Sequence, residues 1–163
     1  MRHHDHHAAH SHDESTGSLN QLALQATVHC LSGCAIGEVL GMVLGTALDW
    51  SNGTTVIVSI VLAFLSGYAL TMRPLLQAGF EWHVAGRLAL AADSASIAVM
   101  EAVDSLVMLL IPGAMDATLA SLLFWGSLVT SLLVAGVAAY PVNRWLIQRG
   151  RGHAVVHAHH GAA

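Results

Sequence analysis

The sequence contains no lysine and few charged residues of any kind. Charged side chains make up 10% of the 163 residues, all basic ones are arginine, and hydrophobic residues make up 55%. A soluble helical bundle needs a polar outer face on every helix, which this composition does not supply. The net charge of −4 gives no reason to expect a nucleic-acid partner. Together with a mean hydropathy of +0.61, the composition predicts a protein of the lipid bilayer.

Cysteine is scarce too, with only Cys30 and Cys34 present. Two cysteines one helical turn apart in an apolar run are not the pattern of a disulfide framework. Their Cα atoms would lie about 6 Å apart with side chains along one face. Free or metal-bound thiols are therefore expected. The sequence also lacks a phosphate loop, a nucleophile elbow and a zinc-protease motif, so we expect no enzyme.

Four long apolar runs are present, and each is long enough to cross a hydrocarbon core of about 30 Å. The expected membrane domain covers residues 21–149, with spans at about 22–48, 54–72, 87–111 and 118–140. Pro74, Pro112 and Pro141 are expected to punctuate the last three. The predicted fold is all-α, an integral membrane four-helix bundle.

The arginines predict the orientation of this bundle. With four spans, Arg73 and Arg87 fall on the same side as the chain termini, while the opposite loops hold Asp49 and Asp116 but no basic residue. The positive-inside rule then places both termini in the cytoplasm. We expect a multi-pass protein of the inner (cytoplasmic) membrane.

The first run carries two parallel rows of side chains. On a helix, one row contains Cys30, Cys34, Glu38 and Met42, and a second row contains Gly33, Gly37, Gly41 and Gly45. A glycine row lets another helix approach closely. Because four helices make a narrow bundle, we expect a homo-oligomer, with the glycine row as a candidate packing face.

The third run, like the first, carries polar and sulfur-containing side chains along one side of the predicted helix. They are Asp93, Met100, Glu101, Asp104 and Met108. Each ionised carboxylate at a helix centre costs roughly 2.5 to 3.5 kcal/mol. No basic residue within the spans offsets this cost, so the carboxyl groups, Glu38 included, must be protonated, hydrated or bound to a cation. The alternative is protonated carboxyls that are hydrogen-bonded between helices.

Thiolate, imidazole and thioether suit Cu(I), and thiolate and imidazole also suit Zn(II). A buried Cys or Met can instead be a simple packing residue, and that is the expected role of Met72 and Met115. His29 could also hydrogen-bond a neighbouring helix. The predicted intramembrane metal site comprises His29, Cys30, Cys34, Glu38, Met42, Asp93, Met100, Glu101, Asp104 and Met108. Copper or zinc is the expected ion.

Histidines cluster at both ends of the chain. Residues 1–20 read as a disordered His-rich tail, and residues 150–163 form a second one. Native tails that collect metal are favoured over an expression tag, because the spacing at the N-terminus is irregular and the second cluster stands at the other end. The predicted tail ligands are His3, His4, His6, His7, His10, His12, His153, His157, His159 and His160.

The run His29-Cys30-x-x-Gly33-Cys34-x-x-Gly37-Glu38, with Asp93 and Glu101 later, resembles a family of small bacterial and archaeal membrane proteins catalogued only as a domain of unknown function. The likeness covers roughly residues 22–157. It implies the fold and the multi-span topology but supplies no mechanism.

We expect membrane metal-ion binding and transport of a transition-metal cation of the Cu(I) or Zn(II)/Ni(II) class. The alternatives are a non-transporting sensor, store or accessory subunit, and a small proton-linked transporter. The distribution of polar groups along the bundle axis distinguishes transport from storage. Polar groups throughout the bundle favour a transport path, whereas an outer half without them favours a protein that only stores the ion.

Overall fold

The structure is a computed structural model that describes the backbone of residues 7–149 and the side chains of residues 18–149. All the tail histidines lie outside the described side chains. The two tails and their role in collecting metal therefore stay predictions.

Four long α-helices and one short 3-10 helix make up the described chain, and no strand occurs between residues 7 and 149. The elements are α1 His7–Ala47, α2 Asn52–Gln77, α3 Trp82–Leu110, the 3-10 helix Ala114–Asp116, and α4 Leu122–Gln148. Consecutive helices run antiparallel, α1 also packs on α4, and α1 contacts α3 across the bundle. The predicted all-α, four-helix architecture is confirmed.

Three of the helical segments are long and apolar enough to span a membrane, namely Ser18–Ala47, Asn52–Gln77 and Leu122–Gln148. The remaining helix, α3, has 29 residues, which at 1.5 Å per residue is more than 40 Å. Its hydropathy is lowered by Asp93, Glu101 and Asp104, all of which are buried. The outer face of α3 is apolar, with Leu90 and Leu106 exposed, so its outward surface resembles that of the neighbouring helices.

The distribution of side chains is that of a membrane bundle. Large aliphatic residues such as Val61, Leu133 and Val137 are more than half exposed. The interior instead collects small or polar residues, including Ser59, Ser131 and Asn143. Because lipid tails are as apolar as leucine, helices in a membrane associate through close packing of small residues and through hydrogen bonds.

The glycine row of α1 is used inside the chain, which corrects its expected role as an oligomer face. Gly33 lies against the backbone of Gly67 on α2, and Gly37 lies against the backbone of Ala63. Further along, Gly41 contacts Ser59 and Gly45 contacts Thr55. The row therefore joins α1 to α2 over about three helical turns and is covered by α2.

Two helices continue past the prolines that were expected to end them. α2 runs to Gln77 beyond Pro74, and α4 runs to Gln148 beyond Pro141. Proline is tolerated inside membrane helices because neighbouring groups can satisfy the freed backbone. After Pro141 the helix is held by burial of Asn143 and Leu146.

The N-termini of α2 and α4 each have a serine N-cap. Ser51 accepts a hydrogen bond from Thr54 N, and Ser121 accepts one from Phe124 N. Such caps satisfy backbone donors that the first helical turn leaves open. After α3 the chain turns at Gly113, whose φ of 77° is left-handed and favours glycine.

We predict that Gly37→Ala destabilises the bundle. The added Cβ would overlap the backbone N and Cα of Ala63, which cannot yield as a flexible side chain does. Overpacking of this kind typically costs about 1–3 kcal/mol. The measurement is the free energy of unfolding in mixed detergent micelles.

The matched control is Gly86→Ala on α3, where an added Cβ meets nothing within 4 Å. This control should be neutral or slightly stabilising because alanine is the better helix former. Equal stabilities for the two variants would contradict the close α1–α2 contact.

Candidate functional site

A cavity of about 390 Å³ opens at the end of the bundle where α1 and α3 finish and α2 and α4 begin. Its walls come from all four long helices and from the 3-10 helix. The cavity reaches down to Glu38, Glu101 and Asp104 and contains Met42 and Met108 in its wall. The structure thus brings five of the predicted site residues to one space.

The inner end of the cavity is formed by three carboxyl groups. Glu38, Glu101 and Asp104 are 8%, 5% and 6% exposed, respectively. Glu38 and Asp104 lie within hydrogen-bonding reach of each other. One oxygen of each acid, Oε1 of Glu38, Oε1 of Glu101 and Oδ1 of Asp104, has no hydrogen-bond partner in the protein. These three oxygens are themselves buried, so each is a hydrogen-bond acceptor that the protein leaves unsatisfied, a situation that is uncommon in folded proteins.

The mouth of the cavity adds two more acids, Asp49 after α1 and Asp116 in the 3-10 helix. Asn52 Nδ2 donates to Asp116 Oδ1 at 3.0 Å, which ties the start of α2 to the 3-10 helix. Within the described residues 18–149, no Lys, Arg or His lines this space. The cavity is therefore acidic from its mouth to its inner end.

Below the carboxyl groups the bundle is closed by a core layer, which we define as Cys30, Cys34, Ala63, Ile97, Met100, Ala135 and Ala139. The two cysteines form no disulfide, as predicted, and both are 1% exposed. The Cys34 thiol lies within hydrogen-bonding reach of Glu101. Met100 is fully buried in this layer and is absent from the cavity wall.

A separate polar network lies at the arginine-bearing end of the bundle. Thr71 Oγ1 on α2 donates to Asp93 Oδ2 on α3 at 2.6 Å. His29 Nε2 on α1 lies 2.9 Å from the same Thr71 oxygen. Because threonine has one hydroxyl proton, His29 Nε2–H is the donor in that contact. The hydrogen bond to a neighbouring helix, which was the alternative role for His29, is present, and the role of His29 as a metal ligand stays a prediction.

A second buried hydrogen bond crosses the bundle at a similar level. Asn143 Nδ2 on α4 donates to Thr27 Oγ1 on α1 at 3.0 Å, and Thr27 donates to Ala23 O. Both residues are less than 5% exposed. All four helices are therefore joined at this end by hydrogen bonds from α1 to α2, from α2 to α3, and from α4 to α1.

The predicted metal ligands fall into three levels rather than one centre. Glu38, Glu101, Asp104, Met42 and Met108 share the cavity. Cys30, Cys34 and Met100 lie in the core layer, and His29 and Asp93 belong to the network with Thr71. Within the described part of the chain, no three His, Cys, Asp or Glu side chains are placed so that they could hold a metal ion together.

Sequence reasoning missed several members of these sites. Met115 and the two mouth acids line the cavity although the first was assigned to packing and the others to loops. Thr71 lies between His29 and Asp93. A threonine in an apolar run carries no distinctive signal, and Met115 is brought to the cavity only by the turn at Gly113.

Fold and cavity define a small polytopic helical membrane protein with an acidic space inside it. The chain belongs to the family described as Domain of unknown function (DUF4396), whose profile matches residues 19–152. This confirms the predicted family, with a match that begins three residues earlier and ends five residues earlier than expected. No curated protein and no solved structure matches the chain.

We predict that Thr71→Val lowers the stability of the bundle. Valine has a similar shape but removes the bond to the buried Asp93 carboxyl and the acceptor for His29. Removing one partner of a buried hydrogen bond costs about 1–3 kcal/mol. Unfolding in mixed micelles measures the effect.

Thr130→Val is the control, because Thr130 is exposed and its hydroxyl bonds only to Gly126 O of its own helix. Its effect should stay within about 0.5 kcal/mol. A Thr71 variant as stable as this control would show that the network contributes little to the fold.

Proposed function

We propose that the protein binds a transition-metal cation in the acidic cavity and moves it across the membrane. The observation that carries the proposal is that three acids, Glu38, Glu101 and Asp104, line the inner end of an open cavity while each keeps one buried carboxyl oxygen without a hydrogen-bond partner. Carboxylates buried in a membrane protein without a basic partner are costly. A cation and its water would offset that cost.

The size of the cavity fits a hydrated ion. Water occupies about 30 Å³ per molecule in the liquid, so 390 Å³ holds on the order of ten molecules. An ion that keeps part of its hydration shell needs only one or two direct protein ligands. The lack of a three-ligand centre among the described residues is therefore compatible with a site that passes an ion on.

The electrostatics favour a cation over an anion. Five acids line the space and no basic side chain does, within residues 18–149. Clefts lined by one sign of charge concentrate ions of the opposite sign. An anion would meet this field at the mouth and again at the three carboxyl groups inside.

The position of the cavity favours a path over a closed store. The half of the bundle opposite the arginines is open down to Glu101, and Cys34 lies beside that carboxyl group. An ion that reaches Glu101 is next to a thiol, a ligand that both Cu(I) and Zn(II) accept. Beyond the core layer, Asp93 and His29 supply the next polar groups along the bundle axis.

The proposed orientation places the cavity on the outer side of the inner membrane. Arg73, Arg87 and Arg144 lie near the ends of α2, α3 and α4 at the opposite pole, where Arg149 directly follows α4. The positive-inside rule assigns that pole to the cytoplasm. Both His-rich tails then lie in the cytoplasm.

We predict that Asp116→Cys reacts with a membrane-impermeant thiol reagent added to the outside of intact cells. Ala78→Cys, in the exposed turn after α2, should react only after the cells are opened. The buried native thiols give little background. The reverse labelling pattern would invert the topology, and labelling of both positions from one side would contradict the antiparallel helices.

We predict that Glu101→Gln and Glu38→Gln reduce cation uptake into proteoliposomes while leaving the protein folded. Loss of one charged contact worth about 1.4 kcal/mol corresponds to about tenfold in affinity. Uptake of Zn(II) and of Cu(I) under reducing conditions is measured with a chelating dye inside the vesicles.

Glu81→Gln is the matched control, because Glu81 is exposed at the start of α3 and pairs only with His83 at the surface. It should transport like the unmodified chain. Full uptake by both cavity variants would refute the carboxyl groups as ion ligands.

Proton-linked transport is the second candidate, and the network of His29, Thr71 and Asp93 favours it. A carboxyl, a hydroxyl and an imidazole in hydrogen-bonded series are groups that can accept and release protons in membrane transporters. In this reading the network exchanges a proton on the cytoplasmic side while the cavity holds the cation.

A further inference from the structure

The cavity wall contains three methionines that come from three different elements. Met42 lies on α1, Met108 on α3 and Met115 in the 3-10 helix. The chain has six methionines in all. Of the other two within the described side chains, Met72 is outside the cavity wall and Met100 is in the core layer. The fold thus gathers three of five described thioethers around one space.

Methionine most often fills gaps in a core, and Met100 does so with no exposure. The three cavity methionines differ, because each is only partly buried and borders open space. A side chain that borders a cavity is not filling it. The same wall contains the acids at the mouth, Asp49 and Asp116.

The two kinds of group offer different things to an ion. Carboxylates supply negative charge, which any cation accepts. Thioethers supply none, and they select soft ions such as Cu(I) over the harder divalent ions. A thioether wall would therefore be of little use to Mg(II) or Zn(II), but it would hold a soft monovalent cation on its way to Glu101 and Cys34.

We propose that Met42, Met108 and Met115 form a binding site for a soft monovalent cation in the cavity and thereby set its selectivity toward Cu(I). The inference rests on the proposed cation function and names the class of ion. It adds Met115 to the site and removes Met100, whose sulfur is enclosed by the core layer.

The test is protection of individual methionines in the full-length chain, purified in detergent. Ag(I) serves as a redox-stable analogue of Cu(I), and it is titrated beyond the amount that the histidine tails bind. A methionine-selective oxaziridine then labels free thioethers, and peptide mass spectrometry reads each position. We expect Ag(I) to slow labelling of Met42, Met108 and Met115 about tenfold, as for a site mostly occupied.

Met72 is the internal control, and its labelling should not change. Zn(II) at the same concentration should protect none of the three. The proposal is overturned if Ag(I) protects no cavity methionine, if it protects Met72 equally, or if Zn(II) protects as well as Ag(I).

A second measurement separates this inference from the proposed function. The variant with Met42→Leu, Met108→Leu and Met115→Leu keeps volume and apolarity, a kind of change that cores usually tolerate. We expect Ag(I) uptake by proteoliposomes to fall about tenfold relative to Zn(II) uptake, with Met72→Leu unchanged.

An unchanged ratio of Ag(I) to Zn(II) uptake, together with impaired uptake in Glu101→Gln, would refute the thioether site and leave the cation function standing. Protection of the three methionines in a protein that shows no uptake would establish the site and refute transport.

Discussion

The close contact between α1 and α2 determines how the rest of the bundle is arranged. Gly33 and Gly37 bring the two backbones together, with Gly67 and Ala63 opposite them. The row that contains Cys34 and Glu38 lies about 100° around the helix from the row that contains Gly33 and Gly37. Once the glycine row faces α2, the neighbouring row is turned toward the centre of the bundle, where α3 presents Glu101 and Asp104. The acidic cavity is thus a consequence of where the glycines are.

Much of this arrangement could be predicted from the sequence. Hydropathy located four helices, and the repeat of four residues placed Cys34 with Glu38 and Met100 with Asp104 on shared faces. Residues that share a face of a helix can still lie at different depths along the bundle axis, however. Asp93 and Asp104 lie on one side of α3 but eleven residues apart, which is about 16 Å along the axis. The acids on one side of α3 therefore belong to two separate sites in the structure. Asp93 lies in the network with Thr71, and Asp104 lies at the inner end of the cavity.

The remaining differences arise from contacts that a single helix does not encode. A glycine row has the same pattern whether it meets a helix of the same chain or of another copy, and only the assembled bundle shows that α2 covers it. Pro141 reads as a helix end because it removes a donor, yet α4 continues, with Asn143 bonded to Thr27. Met115 reads as loop packing until the turn at Gly113 places it beside the ends of α1 and α3.

The closed layer between the two polar levels limits what this conformation can do. Cys30, Ile97 and Met100 are at most 1% exposed, so an ion in the cavity has no open route to Asp93. Passage of a cation would therefore require the residues of this layer to move apart.

The contacts within the layer differ between the α1–α2 side and the α3–α4 side. On α1, the flanking Gly33 and Gly37 meet the α2 backbone directly, which leaves little freedom between these two helices. The α3 and α4 side of the layer consists of Ile97 and Met100 together with Ala135 and Ala139, and a flexible side chain such as Met100 can repack where backbones in contact cannot. Movement of the α3–α4 hairpin against the α1–α2 pair would keep the close contact between α1 and α2, but it would have to break or lengthen the hydrogen bonds from Thr71 to Asp93 and from Asn143 to Thr27 at the other end of the bundle.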